Sequence, residues 1–321
     1  MKHLHWKYAV PALILFLLVP LFVEKYTLHI FIMSLYYIIM VTSWNVLSGY
    51  AGQMSFAQAT FSTFAGYVST LLAINFGLTP FVTTIIAALA TCLLGFLLGV
   101  ICMKSQGIYH ALMTIAFAQI FRITINIEYK ITRGSLGLSS IPLFGISKIP
   151  YYYYILFLTV LTLLILDRIL SSPIGLTLRA IKEDKTAATS IGINEIKYRQ
   201  IAFLISSVFA GLAGAFLAHY TLIVSPESAT ISAMAIIIAM AIIGGQGSFF
   251  GPVIGAIGLQ FLMEYLRDFG RLYLVILGII MVLVIRFLPE GVVPKLSKIV
   301  STYLDRKKII KKDLNFVKNK A

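Results

Sequence analysis

Charge is scarce in this sequence. Only 12% of its 321 residues are Asp, Glu, Lys or Arg, against roughly 25% in soluble domains. With 59% hydrophobic residues, that shortage excludes an ordinary water-soluble domain. Acids are fewer than bases, 12 against 26. An acid in mid-span would mark ion coupling or a proton relay. Asp167, Glu227, Glu264 and Asp268 all fall near the ends of apolar runs instead. There are two cysteines, Cys92 and Cys102, inside one apolar run. They read as buried free thiols, not as a disulfide or a metal site. His110 and His219 stand apart in the sequence, so no metal site is expected. No Ser/His/Asp or paired-carboxylate constellation is present. The phosphate-loop pattern of Gly, four residues, then Gly-Lys-Ser/Thr is missing as well. Gly245-x-Gly247-x-x-x-Gly251 lacks the strand context of a dinucleotide loop. The chain is therefore not expected to be an enzyme or to hydrolyse nucleotide, and no cofactor is expected in it.

What is present is hydrocarbon-length sequence. About 20 apolar residues cross a bilayer. On that ruler the chain divides into ten spans, near 8–23, 27–47, 55–74, 80–103, 107–127, 150–170, 201–223, 231–245, 250–267 and 271–288. The first follows Lys2 and Lys7 and ends in Val23-Glu24-Lys25-Tyr26, without a small-residue cleavage site; it reads as a retained span. With the N-terminus inside, nineteen basic residues lie on the inner side and six on the outer, which places both termini in the cytoplasm. The net charge of +14 sits in loops and in the tail. Anionic lipid and topology account for it there, and nucleic acid is not implied. Arg122 is the strongly ionised residue well inside a span, where either snorkelling or a role in a solute pathway fits. The fold class expected is an all-α polytopic membrane protein. It has about ten transmembrane helices in two related halves, an integral domain over 1–294 and a basic cytoplasmic tail over 295–321.

Between the halves lies 171–200, with eight charges: Arg179, Lys182, Glu183, Asp184, Lys185, Glu195, Lys197 and Arg199. At roughly 2.5–3.5 kcal/mol each, they keep this segment in water, and five basic residues place it on the cytoplasmic side.

Two glycine breaks interrupt the apolar sequence, 49–56 and 244–249. Gly52-Gln53-Met54-Ser55-Phe56 matches Gly245-Gln246-Gly247-Ser248-Phe249 at four of five positions. Interrupted segments in corresponding places of two halves point to a transport pathway; two tight cytoplasmic turns would use the same glycines. The candidate pathway residues are Asn45, Gln53, Ser55, Gln246 and Ser248. Exposed helix N-termini at the breaks would favour a carboxylate. Gly95 and Gly99, and Gly247, Gly251 and Gly255, form small-residue ridges suited to close helix packing.

The central segment reads Leu178-Arg179-Ala180-Ile181-Lys182-Glu183-Asp184, then Ala187-Ala188-Thr189-Ser190-Ile191-Gly192-Ile193-Asn194. Later come Ala210-Gly211-Leu212-Ala213-Gly214-Ala215, Ser225-Pro226-Glu227-Ser228, Gly251-Pro252 and Pro289-Glu290-Gly291. Taken in order, from about Asn45 to Gly291, these residues make the chain similar to LivM-type permeases of bacterial branched-chain amino-acid ABC importers. The resemblance implies a multi-pass permease domain in the bacterial cytoplasmic (inner) membrane. It would import leucine, isoleucine or valine. Urea, short amides or a sugar are alternative solutes, and an ion-coupled secondary transporter or a scaffold the alternatives of another class. It implies two ABC ATPase subunits, which bind the ATP and Mg. It also implies a homologous permease subunit of LivH type, an extracytoplasmic solute-binding protein, and membrane lipid. The ATPase-coupling residues carried over are Arg179, Thr186, Ala187, Ala188 and Gly192. Thr186 stands where the family pattern has glutamate. Thr132-Arg133-Gly134-Ser135-Leu136-Gly137 departs from the family's Thr-Gly-Gly-Ser-Asp-Gly, with no acid and an added arginine.

Overall fold

The computed structural model describes residues 2–102, 105, 107–145, 147–267, 270, 272–287 and 291–295. The tail beyond Lys295, and Lys104, Asp268, Arg271, Pro289 and Glu290, lie outside the described residues. Helices dominate. In chain order they are α1 Lys2–Phe22, α2 Lys25–Asn45, α3 Gln58–Phe76, α4 Pro80–Cys102, α5 Gly107–Ile127, the short α6 Tyr129–Thr132, and α7 Lys148–Leu170. The central segment forms α8 Pro173–Glu183 and α9 Lys185–Ser190. Then come α10 Glu195–Thr221, α11 Ile231–Gly244, α12 Phe250–Leu266 and α13 Leu272–Phe287.

Each apolar run read from the sequence carries a helix. Those of α2 (through Tyr50), α4, α5, α7 and α10 are long and apolar enough to cross a membrane by themselves. α3 has 19 residues but buries Gln58, Thr60, Ser62, Thr63, Ser69 and Thr70, so its low apolarity reflects protein neighbours in place of lipid. α11 matches the run 231–245 to within one residue. Thr230 caps its start by accepting from the Ala233 amide at 3.3 Å, and Gly245, at φ 118°, ends it. Its 14 residues reach about 21 Å at 1.5 Å per residue, short of a hydrocarbon core of roughly 30 Å. The chain is a polytopic helical membrane protein.

α10 is the axis of the bundle and packs most heavily against α4 and α3. Small residues permit the approach. A Cβ on Gly95 would stand 2.2 Å from Ser207 Oγ, one on Gly99 2.5 Å from Gln200 Oε1, and one on Gly214 2.0 Å from the Ser62 carbonyl. The ridge of α12 is likewise used inside the chain. A Cβ on Gly255 would meet the Met240 carbonyl at 2.0 Å, and one on Gly244 the Gly251 carbonyl at 1.9 Å. Backbones this close gain dispersion contacts that larger residues would prevent.

At one end of the bundle Leu138–Ser139 (β1) pairs antiparallel with Ile223–Val224 (β2). His219, fully buried, ties that end together. Its Nδ1 donates to the Ile141 carbonyl at 2.6 Å, with Ser140 Oγ at 3.0 Å. Its Nε2 lies 2.8 Å from Ser69 Oγ. The residue that stands isolated in the sequence is thus a hub between α3, α10 and the β1 loop.

The central segment is folded onto the other end. Ser172, followed by Pro173, caps α8 and accepts from the Ile174 amide at 3.2 Å. Asp184 caps α9 through the Ala187 amide at 3.0 Å, and Asn194 caps α10 through the Lys197 amide at 3.1 Å. Each such cap contributes about 1 kcal/mol. α8 is amphipathic and buries Gly175, Leu178 and Ile181. Two of the charges read as solvated are not: Glu195 and Arg199 are buried, at 9% and 8% exposure. Their cost is offset by pairing with each other, a contact that leaves neither charge isolated.

Candidate functional site

The two glycine breaks meet. α2 runs past Asn45 into a wide π-helical turn, Val46–Tyr50, a local widening often found at functional sites. The chain continues irregularly to α3, with Gly52 at φ 68°. The second break joins α11 to α12, with Gly245 at φ 118° and Gly247 at φ 80°. Asn45 joins the two. Its Oδ1 accepts from the Gly247 amide at 2.9 Å and its Nδ2 donates to the Ser248 carbonyl at 2.9 Å. Gln246 donates to Ser48 Oγ. A Cβ on Gly49 would lie 2.0 Å from Asn45 Oδ1 and 2.7 Å from the Gly247 amide nitrogen. Only glycine leaves room for this crossing.

The central segment is seated on the junction. Lys182, from the last turn of α8, donates to the Gly49 carbonyl at 2.9 Å. Its stem covers Gly52, whose added Cβ would be 3.1 Å from Lys182 Cγ; a Cβ on Gly247 would be 3.5 Å from Lys182 Nζ. One ammonium thus binds the first break and stands close to the second. One turn earlier, the Arg179 guanidinium lies 4.9 Å from the centre of the Tyr50 ring, a cation–π contact of about 0.5–1 kcal/mol at such an exposed site. In the sequence Lys182 is one of eight charges read as solvated. Its contacts with residues some 130 and 65 positions away, by difference of residue number, have no local signature, though its position three after Arg179 puts both on one helix face.

The other coupling residues separate. Thr186 and Ala187 are exposed on α9, while Ala188 is buried at 3%, so the adjacent alanines do not share an outward face. Gly192, at φ 85°, ends α9 in a left-handed turn, and the Ile193 amide donates back to the Ala188 carbonyl at 3.1 Å. Leu176 and Ile191, on the same segment, are exposed as well.

The pathway candidates are placed as follows. Ser55 is buried; its Oγ accepts from the Ala57 amide at 3.3 Å and its carbonyl from Trp44 Nε1 at 2.7 Å. Ser248 Oγ accepts from the Gly251 amide at 3.0 Å. Gln53 is buried against Arg199, and Gln246 is exposed. The Ala57, Gly247 and Gly251 amides are thus turned onto the chain's own side chains. Arg122 on α5 is half-buried, and its Nε has no hydrogen-bond partner among the described residues.

The arrangement has a mechanical form: two helix breaks, hydrogen-bonded to each other, with an external helix pinned on the first and close to the second. Comparison with known proteins gives the family. The family model described as "Branched-chain amino acid transport system / permease component" matches residues 26–285. The high-affinity branched-chain amino acid transport system permease protein LivM of Escherichia coli K12 is 32% identical over 89% of this chain and 74% of its own. Its Salmonella typhimurium counterpart is 31% identical over 86% and 72%. A probable branched-chain amino acid transport permease protein LivM of Methanocaldococcus jannaschii is 23% identical over 82% and 91%. No solved structure matches. The chain belongs to the family of permease components of branched-chain amino acid transport systems.

Proposed function

We propose that this chain is a transmembrane permease subunit of an ATP-driven importer of leucine, isoleucine and valine. It crosses the inner membrane ten times in two related halves, with both termini cytoplasmic. Two ATPase subunits bind ATP and Mg and dock on the central segment. A homologous permease subunit completes the channel, and an external binding protein delivers the solute. The observation that carries this reading is Lys182, a residue of the central segment hydrogen-bonded to one break and lying against the other. A docking partner that shifts α8 must shift the junction between the halves. The docking face is Arg179, Thr186, Ala187 and Gly192, with exposed Leu176 and Ile191 as its apolar part; apolar patches of this kind mark interaction sites. Ala188 supports that face from beneath. Asn45, Gln53, Ser55, Gln246 and Ser248 belong to the junction that opens and closes the pathway at its inner end.

The test is uptake into proteoliposomes holding the complete complex, with binding protein outside and ATP inside. The reading expects uptake of branched-chain amino acids that stops when ATP is withheld. Uptake that needs an ion gradient and ignores ATP would contradict it.

A further inference from the structure

Four side chains form a chain from α9 to the first break. Lys185 Nζ on α9 lies 2.9 Å from Glu195 Oε2. Glu195 Oε1 accepts from Arg199 Nη1 at 2.8 Å. Arg199 Nη2 donates to the Ser105 carbonyl at 3.4 Å, in the α4–α5 turn. With the Gln53 carboxamide turned so that its oxygen, not its NH2, faces the guanidinium donors, that oxygen accepts from Arg199 Nη2 at 3.0 Å and from its Nε as well. The Glu195 and Arg199 side chains are each 10% exposed, and Lys185 39%. The series runs inward, from solvent to a buried amide.

A buried ion pair is an expensive way to hold helices together, since well-packed apolar residues of similar volume often serve as well or better. What it supplies is direction. A guanidinium is a planar fork whose donors leave at fixed angles, and here they reach three separate pieces of chain: α10, the α4–α5 turn and the first break. Gln53 sits in the irregular stretch between Tyr50 and α3. Its own amide is held by the Leu47 carbonyl at 2.9 Å, so moving the Gln53 side chain moves the wide turn. Lys182 reaches the same turn from α8. The wide turn is therefore held from α8 by one cation and from α9 by the Lys185–Glu195–Arg199 series.

We infer that Arg199 is a positioning residue of the transport cycle: clamped by Glu195, and through it by Lys185 of α9, it sets Gln53 and transmits displacement of α9 to the first break. This rests on the importer reading above and adds a named route to it.

The experiment uses the complete complex in proteoliposomes, measuring assembled complex, ATP hydrolysis and solute uptake. Gln53→Leu removes the last link and leaves the Glu195–Arg199 pair in place. It should assemble with its ATPases and keep hydrolysis near wild type, while solute moved per ATP falls about tenfold, within the usual range of coupling between sites. Gln53→Glu restores an acceptor for Arg199 and should recover most of that ratio. A wild-type ratio in Gln53→Leu overturns the inference. So does a loss of assembled complex in both variants with the ratio unchanged, which is the mark of a purely structural contact. If Gln53→Leu does not assemble, Lys185→Gln, at the exposed end, decides: a lowered ratio supports the route and an unchanged one overturns it. Wild-type complex that hydrolyses ATP without moving solute would overturn the importer reading itself, and is recognised without any variant.

Discussion

Asn45 and Gly247, 202 residues apart, are joined as closely as neighbouring strands: the Asn45 carboxamide accepts from the Gly247 amide and donates to the next carbonyl, both at 2.9 Å. Leucine at position 45 would leave both backbone groups unpaired, at about 1–3 kcal/mol each. Asn45→Leu should therefore lower the melting temperature of the purified protein. Asn45→Asp keeps the acceptor for Gly247 but sets a carboxylate oxygen against the Ser248 carbonyl. It should fall between wild type and Asn45→Leu in the same thermal melt. Equal melting of all three would mean that the junction is not held by this residue.

Glycines that look alike in the sequence should differ sharply on substitution. Gly214→Ala drives a methyl to 2.0 Å from the Ser62 carbonyl, and overpacking of that kind costs about 1–3 kcal/mol or more. Gly258 on α12 has open space around an added Cβ. Gly258→Ala should stabilise the protein by about 0.5–1 kcal/mol through helix propensity. Paired unfolding measurements in one detergent check the contrast, and a similar change in both variants would contradict it.

How much of this is legible in the sequence depends on the range of the interaction. Apolar runs are local, and the run 107–127 coincides with α5. The run 231–245 and α11 differ by one residue, because Gly245 ends the helix. Counting charge places 171–200 in water, yet Glu195 and Arg199 are four apart, the spacing of a helical ion pair, and they fold inward together. The glycine breaks are visible as breaks. That they bind each other through Asn45 and carry Lys182 is not visible, since side chains that meet across the fold have no spacing rule. His219 is the extreme case: its partners Ser69 and Ser140 lie 150 and 79 residues away.

His219→Ala removes the hub of the β1 end. It deprives the Ile141 carbonyl of its imidazole donor and empties a fully buried site, with a cost of about 1–3 kcal/mol for each group left unpaired. Protease cutting within 134–141 should become faster, whereas His219→Gln, which can still donate an N–H, should lose less. Unchanged cutting in His219→Ala would show that the loop is held by the β1–β2 pairing alone.

Ala188→Glu should fail as a folding variant. Ala188 is buried within the chain, and a larger, ionised side chain forced there is costly to desolvate and has no room made for it. Expression and thermal stability should drop before any partner is involved. Normal expression of Ala188→Glu would mean that α9 swings free of the bundle.

Ala187→Glu is the direct test of the docking claim, because position 187 is exposed and its neighbour's burial does not confound the result. The measurement is capture of the ATPase subunits by purified permease, alongside expression and uptake. The account predicts a folded permease at wild-type level with ATPase binding weakened more than about a hundredfold, the effect of roughly 3 kcal/mol at an interface, and uptake lost with it. Wild-type capture and wild-type uptake by Ala187→Glu would contradict it, and α8–α9 would then be a linker between the two halves.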